Sequence, residues 1–322
     1  MRQSVNSLPD TVGAVNADDD GIVGELPAFR RYLRSNNRAP KTVQTYEEAV
    51  RRFADFLAER GMPQDVRAIR REHIEAFIEH LLDTQKATTA ANRFRSLQAF
   101  WRYATVDGEI VKESPMARML PPKIPVQEVP VLRDDELGRL LAACDGTDFE
   151  NRRDMALLRF MLDTGCRIGE VLALRWTPGD SETNDLDMDA ETARVFGKGR
   201  RWRLVSFGSR TGRAIDKYLR LRKQHGDASS PSLWLGKRGA LTDQGLRLII
   251  RRRGERAGLG RIWPHMTRHA AAHNLLSAGM NEGDVSKLMG WTDPQMVKRY
   301  ASSTAGERAI AAHKRLGLGD RL

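Results

Sequence analysis

The chain has 322 residues, of which 40% are hydrophobic and 30% charged, as in ordinary folded, soluble proteins. No apolar run approaches the roughly 20 residues that a membrane span requires, which argues against an integral membrane protein. The N-terminus also lacks a secretory signal pattern, so we expect a cytoplasmic protein. Its two cysteines, Cys144 and Cys166, lie in apolar helical contexts without metal-ligand spacing, which predicts reduced core thiols.

Positive charge is concentrated in one region of the chain. Between Phe196 and Arg261 there are 18 basic and 4 acidic residues, a net charge of +14 (18 − 4), whereas the whole chain carries +11. A solvated surface can carry such charge, but a local field of one sign on a basic chain favours a polyanionic partner, most commonly DNA or RNA.

The first third of the chain predicts an acidic tail followed by a helical domain. Residues 1–25 contain Asp18-Asp19-Asp20 and little apolar content, so we expect them to be disordered. Within residues 26–120, apolar stripes with helical spacing run from Val43 to Leu57, Ile74 to Leu82 and Phe94 to Ala104. Pro40 can open the first of these helices and Gly61 can end it.

Four prolines within residues 121–130 exclude helix and predict an extended linker, so we expect a second domain over 131–322. Helical patterns resume after the linker and are interrupted at Gly165, which places Arg167 at a junction between two helices. Tyr218 falls in a regular helical stripe and is predicted to be a core residue. Thr267 and Asp293 are candidate caps of later helices.

A change of pattern between residues 191 and 208 predicts a β-hairpin. Val195 and Phe196 precede Gly197-Lys198-Gly199, and apolar residues follow from Trp202 to Phe207. Lys198 is therefore expected at the tip of the hairpin, where a flexible side chain can reach outward. The acidic stretch from 180 to 191 is predicted to be a loop that enters this hairpin.

Five motifs in one order resemble the tyrosine recombinases, the phage-integrase-like family, from about Phe29 to about Leu316. They are the box Thr164-Gly165-Cys166-Arg167-Ile168-Gly169-Glu170, the Gly-Lys-Gly hairpin, His265-Met266-Thr267-Arg268-His269, the pair Gly290-Trp291, and Tyr300. The resemblance implies a mainly α fold with a small β-hairpin, arranged as a two-domain C-shaped clamp with a helical core-binding (SAM-like) domain and a catalytic domain. It also implies that Tyr300 attacks a DNA phosphate and leaves a 3′-phosphotyrosyl link, without ATP, metal or another cofactor.

The resemblance assigns the phosphate contacts to a few side chains, each with a physical reason. Arg167 and Arg268 would clamp the nonbridging oxygens, because a guanidinium stays charged and binds phosphate bidentately. Glu170, one helical turn after Arg167, would orient that arginine. Trp291, where many relatives carry histidine, can donate a hydrogen bond to phosphate but cannot shuttle a proton.

Proton transfer and attack are assigned to three further side chains. Lys198 resembles the lysine that protonates the departing 5′ oxygen, although Arg200 or Arg201 could be confused with it. His265 would act as acid or base, and His269 as a structural or auxiliary contact. A phenol with a pKa near 10 is only about 0.1% ionised at neutral pH, a deficit of roughly 4 kcal/mol, so Tyr300 needs nearby cations or a base.

The sequence also predicts partners. Double-stranded DNA is the expected substrate, with contacts to phosphates or bases from the arginine-rich run 251–253 and from other basic residues; the candidates are Arg93, Arg95, Arg200, Arg201, Arg251 and Arg252. Arg93 and Arg95 are equally compatible with a solvated helix face. Relatives act as tetramers and often pass a C-terminal helix to a neighbour, for which residues 310–316 are a candidate, and an accessory directionality factor is compatible with this pattern.

Three alternatives stay open from the sequence. The first is a DNA-binding protein of the same fold that does not cleave. The second is a type IB topoisomerase, which uses similar chemistry. The third is a metalloprotein that uses His265, His269 and His273, whose four-residue spacing can place them on one helix face.

Overall fold

A computed structural model describes residues 21–125, 130–197, 201–293, 295–297, 300, 306, 309–310, 313–317 and 319. The chain divides into two compact units, 1–127 and 128–322, at a point within the stretch for which a linker is predicted. Helices dominate both units, and the second also holds a three-stranded antiparallel sheet. The prediction of a mainly helical protein with a small β-hairpin is confirmed.

The first unit is a helical domain with an aromatic core. Its helices are α1 (Leu26–Ser35), α2 (Pro40–Glu59), α3 (Arg71–Thr84) and α4 (Ala87–Arg102), and α4 continues into a π-helical turn, Tyr103–Asp107. The three predicted stripes correspond to α2, α3 and α4. Helices α1 to α4 together bury a set of large side chains: Phe29, Phe53, Phe77, Phe94, Phe100 and Trp101.

The prediction of a disordered tail over residues 1–25 is wrong for its last five residues. Ile22 is fully buried in the core of the first unit, and its backbone N–H donates to the carbonyl of Gln64 at 2.9 Å. Residues 21–25 therefore belong to the domain, because burial of one isoleucine and one backbone bridge hold them against it. Residues 1–20 of the predicted tail lie outside the described residues.

Helix α1 is absent from the sequence prediction. Its buried residues Leu26, Phe29 and Leu33 have helical spacing, and Pro27 stands in its first turn. The helix has 10 residues, half the length of α2, so fewer apolar positions mark it in the sequence.

The second unit surrounds one long helix. Its elements are α5 (Asp134–Ala142), α6 (Phe149–Thr164), α7 (Ile168–Leu172), β1 (Leu186–Asp187), β2 (Thr192–Gly197), β3 (Arg201–Ser206), α8 (Ser209–Arg222), α9 (Asp243–Arg256), α10 (Pro264–Ser277) and α11 (Glu282–Met289). Helix α6 packs against α8 and α10. Strands β2 and β3 pair from Thr192 with Ser206 to Gly197 with Arg201, which confirms the predicted hairpin strands.

Both ends of α6 are fixed by polar or conformational signals. The Asp148 carboxylate accepts a hydrogen bond from the backbone of Asn151 at the start. At the end, Gly165 adopts φ +60°, a left-handed conformation that suits glycine. Near that end the Asp163 carboxylate accepts from the Gly208 N–H, and so caps the first turn of α8.

A buried ion-pair network joins α6 to α9. Asp154 accepts from the Nε of Arg253 at 2.8 Å and from the Nε of Arg153 at 2.9 Å. Arg253 also donates to the carbonyl of Ala143 at 2.7 Å. The prediction that the whole run 251–253 contacts DNA is therefore wrong for Arg253, because its guanidinium is already used inside the fold.

The burial and hydrogen bonds of core residues test the predictions for the two cysteines, for Tyr218 and for Thr267. Cys144 and Cys166 are free and buried, as predicted, and burial raises the pKa of Cys144 to about 12. Tyr218 is fully buried and donates to the Leu233 carbonyl. Thr267 is wrong as a cap, because Pro264 already opens α10 and the buried Thr267 hydroxyl bonds back to the Pro264 carbonyl.

Candidate active site

Arg167 is placed by the junction between α6 and α7. Gly165 reverses the chain at the end of α6, and Arg167 is the first residue before α7, with extended backbone angles. Its backbone N–H donates to Glu170 Oε2 at 2.8 Å, and its Nη1 donates to Glu170 Oε1 at 2.9 Å. Glu170 thus fixes both the main chain and the side chain of Arg167, which is the orienting contact predicted for it.

Arg268 reaches the same junction from α10. Its Nη1 donates to the Gly165 carbonyl at 2.6 Å and its Nη2 to the Met289 carbonyl at 2.5 Å. Burial, followed by the charge of Arg167, lowers the pKa of Arg268 to about 10, so the group is still a cation at neutral pH. A buried guanidinium beside a second one is costly, and an anion bound between them would offset that cost.

Glu170 is shared between two arginines. It is 3% exposed, and it also accepts from Nη1 and Nη2 of Arg203 on β3, at 3.0 and 2.9 Å. Burial alone would raise the pKa of Glu170, but the hydrogen bonds and charges of Arg203 and Arg167 outweigh it and hold the pKa below its ordinary value. The carboxylate is therefore ionised at neutral pH.

Arg167, Glu170 and Arg268 open onto one cleft of about 300 Å³. Its lining comprises Cys166, Arg167, Ile168, Gly169, Glu170, Phe196, Arg247, Pro264, His265 and Arg268. His265 is exposed at this cleft, yet partial burial of its ring and the charges of Arg268, Arg247 and Arg167 lower its pKa below 6.5. The imidazole is thus neutral at neutral pH and able to accept a proton.

Trp291 and Tyr300 pack in a small cluster at the end of α11. Their rings stack at 4.8 Å between centroids with an angle of 12°, and Tyr300 also contacts the His269 ring at 5.0 Å. The Arg268 guanidinium lies 5.6 Å from the centre of the Trp291 ring. Tyr300 is 5% exposed, so its phenol is buried in this conformation.

Trp291 has a buried indole N–H without a hydrogen-bond partner. A donor left unpaired in this way costs free energy, which an accepting ligand would recover. The indole ring also packs against Tyr300, as the side chain of a core tryptophan does. That the indole N–H holds a phosphate oxygen stays a prediction.

The tip of the predicted hairpin lies outside the described residues. Lys198 and Arg200 belong to that tip, so the prediction for them stays a prediction. Strand β2 ends at Gly197 before the tip, and strand β3 begins at Arg201 after it. Arg201 is exposed on β3, on the strand that also carries Arg203.

The other candidate DNA contacts differ in their surroundings. Arg93 is largely enclosed and pairs with Glu48 at 2.7 Å, which joins α4 to α2. Arg95 is exposed and donates to Asn92 on its own helix. Arg251 and Arg252 are exposed on α9. The structure thus gives Arg93 a role within the domain and leaves the other three at the surface.

Sequence reasoning missed Arg203 and Arg247. Arg203 alternates with the exposed Trp202 and Leu204 and shares the inward side of β3 with buried Val205. A charged residue on the buried side of a strand indicates an internal ion pair, and that signal was available. Arg247 gives no comparable signal, because it lies on an exposed helix surface that only the tertiary fold brings to the cleft.

In the described part of the chain, no group of three or more histidine, cysteine, aspartate or glutamate side chains is placed to hold a metal ion. His265, His269 and His273 therefore do not form the cluster that the metalloprotein alternative requires. No described helix has the length and apolar character needed to cross a membrane.

Two guanidinium groups and a neutral imidazole line one cleft, and the Tyr300 phenol is buried in the neighbouring cluster with Trp291. Paired guanidinium groups of this kind suit the binding of a phosphate. The sequence model of the phage integrase family matches residues 130–307, and that of the phage integrase N-terminal SAM-like domain matches residues 26–108. Tyrosine recombinase XerD of Bifidobacterium longum is 33% identical over 293 residues, which cover 86% of this chain and 92% of the relative.

Two solved structures show the same fold. XerH site-specific recombinase, in a post-cleavage complex with palindromic difH substrate, aligns with a TM-score of 0.74 at 15% identity over 94% of this chain and 98% of that one. A lambda integrase tetramer bound to a Holliday junction aligns with a TM-score of 0.65 at 18% identity over 87% and 77%.

The chain belongs to the phage integrase family. It is a tyrosine recombinase, an enzyme that breaks and rejoins DNA through a phosphotyrosine intermediate without ATP or metal. Membership in this family disfavours the alternative of a DNA-binding protein that does not cleave.

Proposed function

We propose that this protein cuts and rejoins double-stranded DNA at a specific site, with Tyr300 as its nucleophile. The phenolic oxygen of Tyr300 attacks the scissile phosphorus, a new P–O bond forms to the tyrosine, and the bond to the 5′ oxygen breaks. A 5′ hydroxyl from a second strand then reverses the step. The energy of the phosphodiester is kept in the 3′-phosphotyrosyl ester throughout.

The cleft supplies the groups that stabilise the transition state. Arg167 and Arg268 line the cleft and would hold the nonbridging oxygens, and the unpaired N–H of Trp291 would be a third donor. Each guanidinium keeps free N–H groups for the phosphate while its other donors hold the main chain. Loss of one such donor typically costs about 10²- to 10³-fold in rate.

We assign two side chains to proton transfer, one at the attacking phenol and one at the departing 5′ oxygen. His265 is neutral at the pH of the reaction because burial and neighbouring cations depress its pKa, so it can accept a proton released by the phenol. We assign Lys198 to the leaving group, where it would protonate the departing 5′ oxygen. Trp291 cannot replace either group, because an indole N–H only donates.

Tyr300 must become accessible before it can react. In the described conformation the ring is enclosed by Trp291 and His269, so binding of DNA or of a neighbouring copy has to move the segment that carries it. The described residues at the C-terminal end, Ile310 and Leu316, expose large apolar side chains. We assign this end to contact with a neighbouring protomer, in a tetramer that joins two DNA sites.

One observation carries this proposal: Arg167 and Arg268 line the same cleft, and both donate to carbonyls beside Trp291 on the segment that leads to Tyr300. The test is a library of nicked duplexes with randomised sequence, incubated with the protein in EDTA. The nick lets the 5′ product diffuse away, which traps the covalent complex.

The wild type should retain a subset of duplexes in a complex that survives SDS, and Tyr300→Phe should bind the same duplexes without retaining them. The recovered sequences should contain two inverted arms around a short spacer. If both proteins bind DNA and neither gives an SDS-resistant complex, the assignment of Tyr300 is wrong.

A further inference from the structure

Arg203 contacts three separate parts of the chain beside the cleft. Its side chain is 15% exposed, and its two terminal nitrogens form a bidentate pair with Glu170. Its Nε donates to the Leu288 carbonyl at 3.0 Å, and its Nη2 contacts the Cys166 sulfur at 3.7 Å. One guanidinium therefore touches α7, the residue before Arg167 and the end of α11.

The end of α11 is where the arginines of the site meet. Three successive carbonyl oxygens accept from three different arginines: Leu288 from Arg203, Met289 from Arg268 and Gly290 from Arg167. A helix C-terminus carries partial negative charge on such carbonyls, so cations are stabilised there. The chain continues from this point directly to Trp291 and then to Tyr300.

Two glycines leave room for the Arg203 side chain. A Cβ at Gly290, which has φ +61°, would lie 3.3 Å from Nη1 of Arg203. A Cβ at Gly197 on β2 would lie 3.2 Å from the same nitrogen and 3.0 Å from Glu170 Oε1. The guanidinium is thus packed in a slot between the hairpin and α11, with little freedom to take another direction.

We propose that Arg203 is a positioning residue for cleavage. Through Glu170 it sets the direction of the Arg167 guanidinium, and through Leu288 it fixes the α11 end from which the Tyr300 segment departs. It thereby links strand β3 to both the phosphate clamp and the segment of the nucleophile. This inference rests on the proposed function.

The test compares Arg203→Gln with a matched variant, Arg253→Gln. Both break a buried arginine–carboxylate pair in the same unit, but Arg253 pairs with Asp154 away from the cleft lining. Single-turnover covalent capture is measured at saturating DNA, below the unfolding temperature of each variant. Arg203→Gln should lower the capture rate about tenfold or more, but by less than the roughly 10²- to 10³-fold cost of losing a direct oxyanion donor, with DNA affinity unchanged. Arg253→Gln should lower stability but keep the rate.

A double-mutant cycle with Arg167→Lys supplies a measurement that a merely structural residue would not change. If Arg203 acts through Arg167, the lysine substitution should cost much less in the Arg203→Gln background than in the wild type. Multiplicative losses would contradict the proposal. So would equal capture rates for Arg203→Gln, Arg253→Gln and the wild type.

If Arg203→Gln does not fold, a second variant can test the same proposal. Arg203→Lys keeps a cation beside Glu170 but cannot contact both carboxylate oxygens and Leu288 at once. It should fold and still capture DNA slowly, whereas a wild-type rate would overturn the inference. If the wild type itself forms no covalent complex, the proposed function fails, and that result is distinct from failure of the Arg203 inference alone.

Discussion

Replacing Glu170 by glutamine should reduce both stability and cleavage rate. The carboxylate accepts four hydrogen bonds: from the backbone N–H and Nη1 of Arg167, and from Nη1 and Nη2 of Arg203. Glutamine keeps one acceptor oxygen and turns an NH₂ group toward the guanidinium donors. Removal of one partner from a buried ion pair costs about 3–5 kcal/mol, and we expect a loss of unfolding free energy in that range.

The loss of unfolding free energy in Glu170→Gln should be larger at neutral pH than at acidic pH. The folded pKa of Glu170 lies below its ordinary value of 4.5, so the unfolded chain binds the proton more readily. The stability that the carboxylate contributes is therefore complete above pH 4.5 and is lost as the pH falls through the lowered folded value. The difference between the wild type and Glu170→Gln should shrink over that acidic range.

Hydrogen exchange of peptides from α7 and β3 is the suitable assay, because two compact units can unfold in separate transitions. Asp154→Asn is the control, since it removes the other buried carboxylate that two arginines share. Single-turnover capture of DNA is measured on the same samples. A glutamine variant with wild-type exchange at pH 7 and a wild-type capture rate would refute the account of Glu170.

Three further predictions concern neighbouring groups. His265→Gln should remove the acidic limb of the pH–rate profile, which in the wild type should lie below pH 6.5 because the folded pKa is lowered; a wild-type limb at or above 6.5 would contradict this. Gly165→Ala should destabilise the protein by about 1–3 kcal/mol in urea titrations, because φ is +60° and the new Cβ would lie 2.5 Å from the Met289 methyl. Asp154→Asn should cost about 3–5 kcal/mol but keep the capture rate, and a slow variant would show that the α6–α9 network also serves the site.

Local signals in the sequence predicted most of the fold. Apolar spacing located α2, α3 and α4, and the glycine-flanked turn located β2 and β3. The failures have local causes as well. Threonine is a residue type that often caps helices, but the helix that contains Thr267 begins three residues earlier, at Pro264. Ile22 is held by its hydrogen bond to Gln64 and by the adjacent bridge between Gly21 and Asp65, which no local pattern reports.

The site was predicted unevenly for a similar reason. Arg167 and Glu170 are three residues apart, so their contact follows from helical geometry. The meeting of Arg203 with Glu170 joins residues 33 positions apart, and its contact with Leu288 joins residues 85 apart. Such contacts depend on how the hairpin packs on α11, and tertiary packing leaves little trace in a single sequence.

The most direct measurement is the identity of the residue that becomes linked to DNA. Covalent complexes trapped on nicked duplexes in EDTA are digested with protease, and the peptide that carries the nucleotide is sequenced by mass spectrometry. The account predicts a 3′-phosphate ester on Tyr300 and no such peptide from Tyr300→Phe. A nucleotide linked to Tyr218, to a tyrosine of the first unit or to a serine would contradict it.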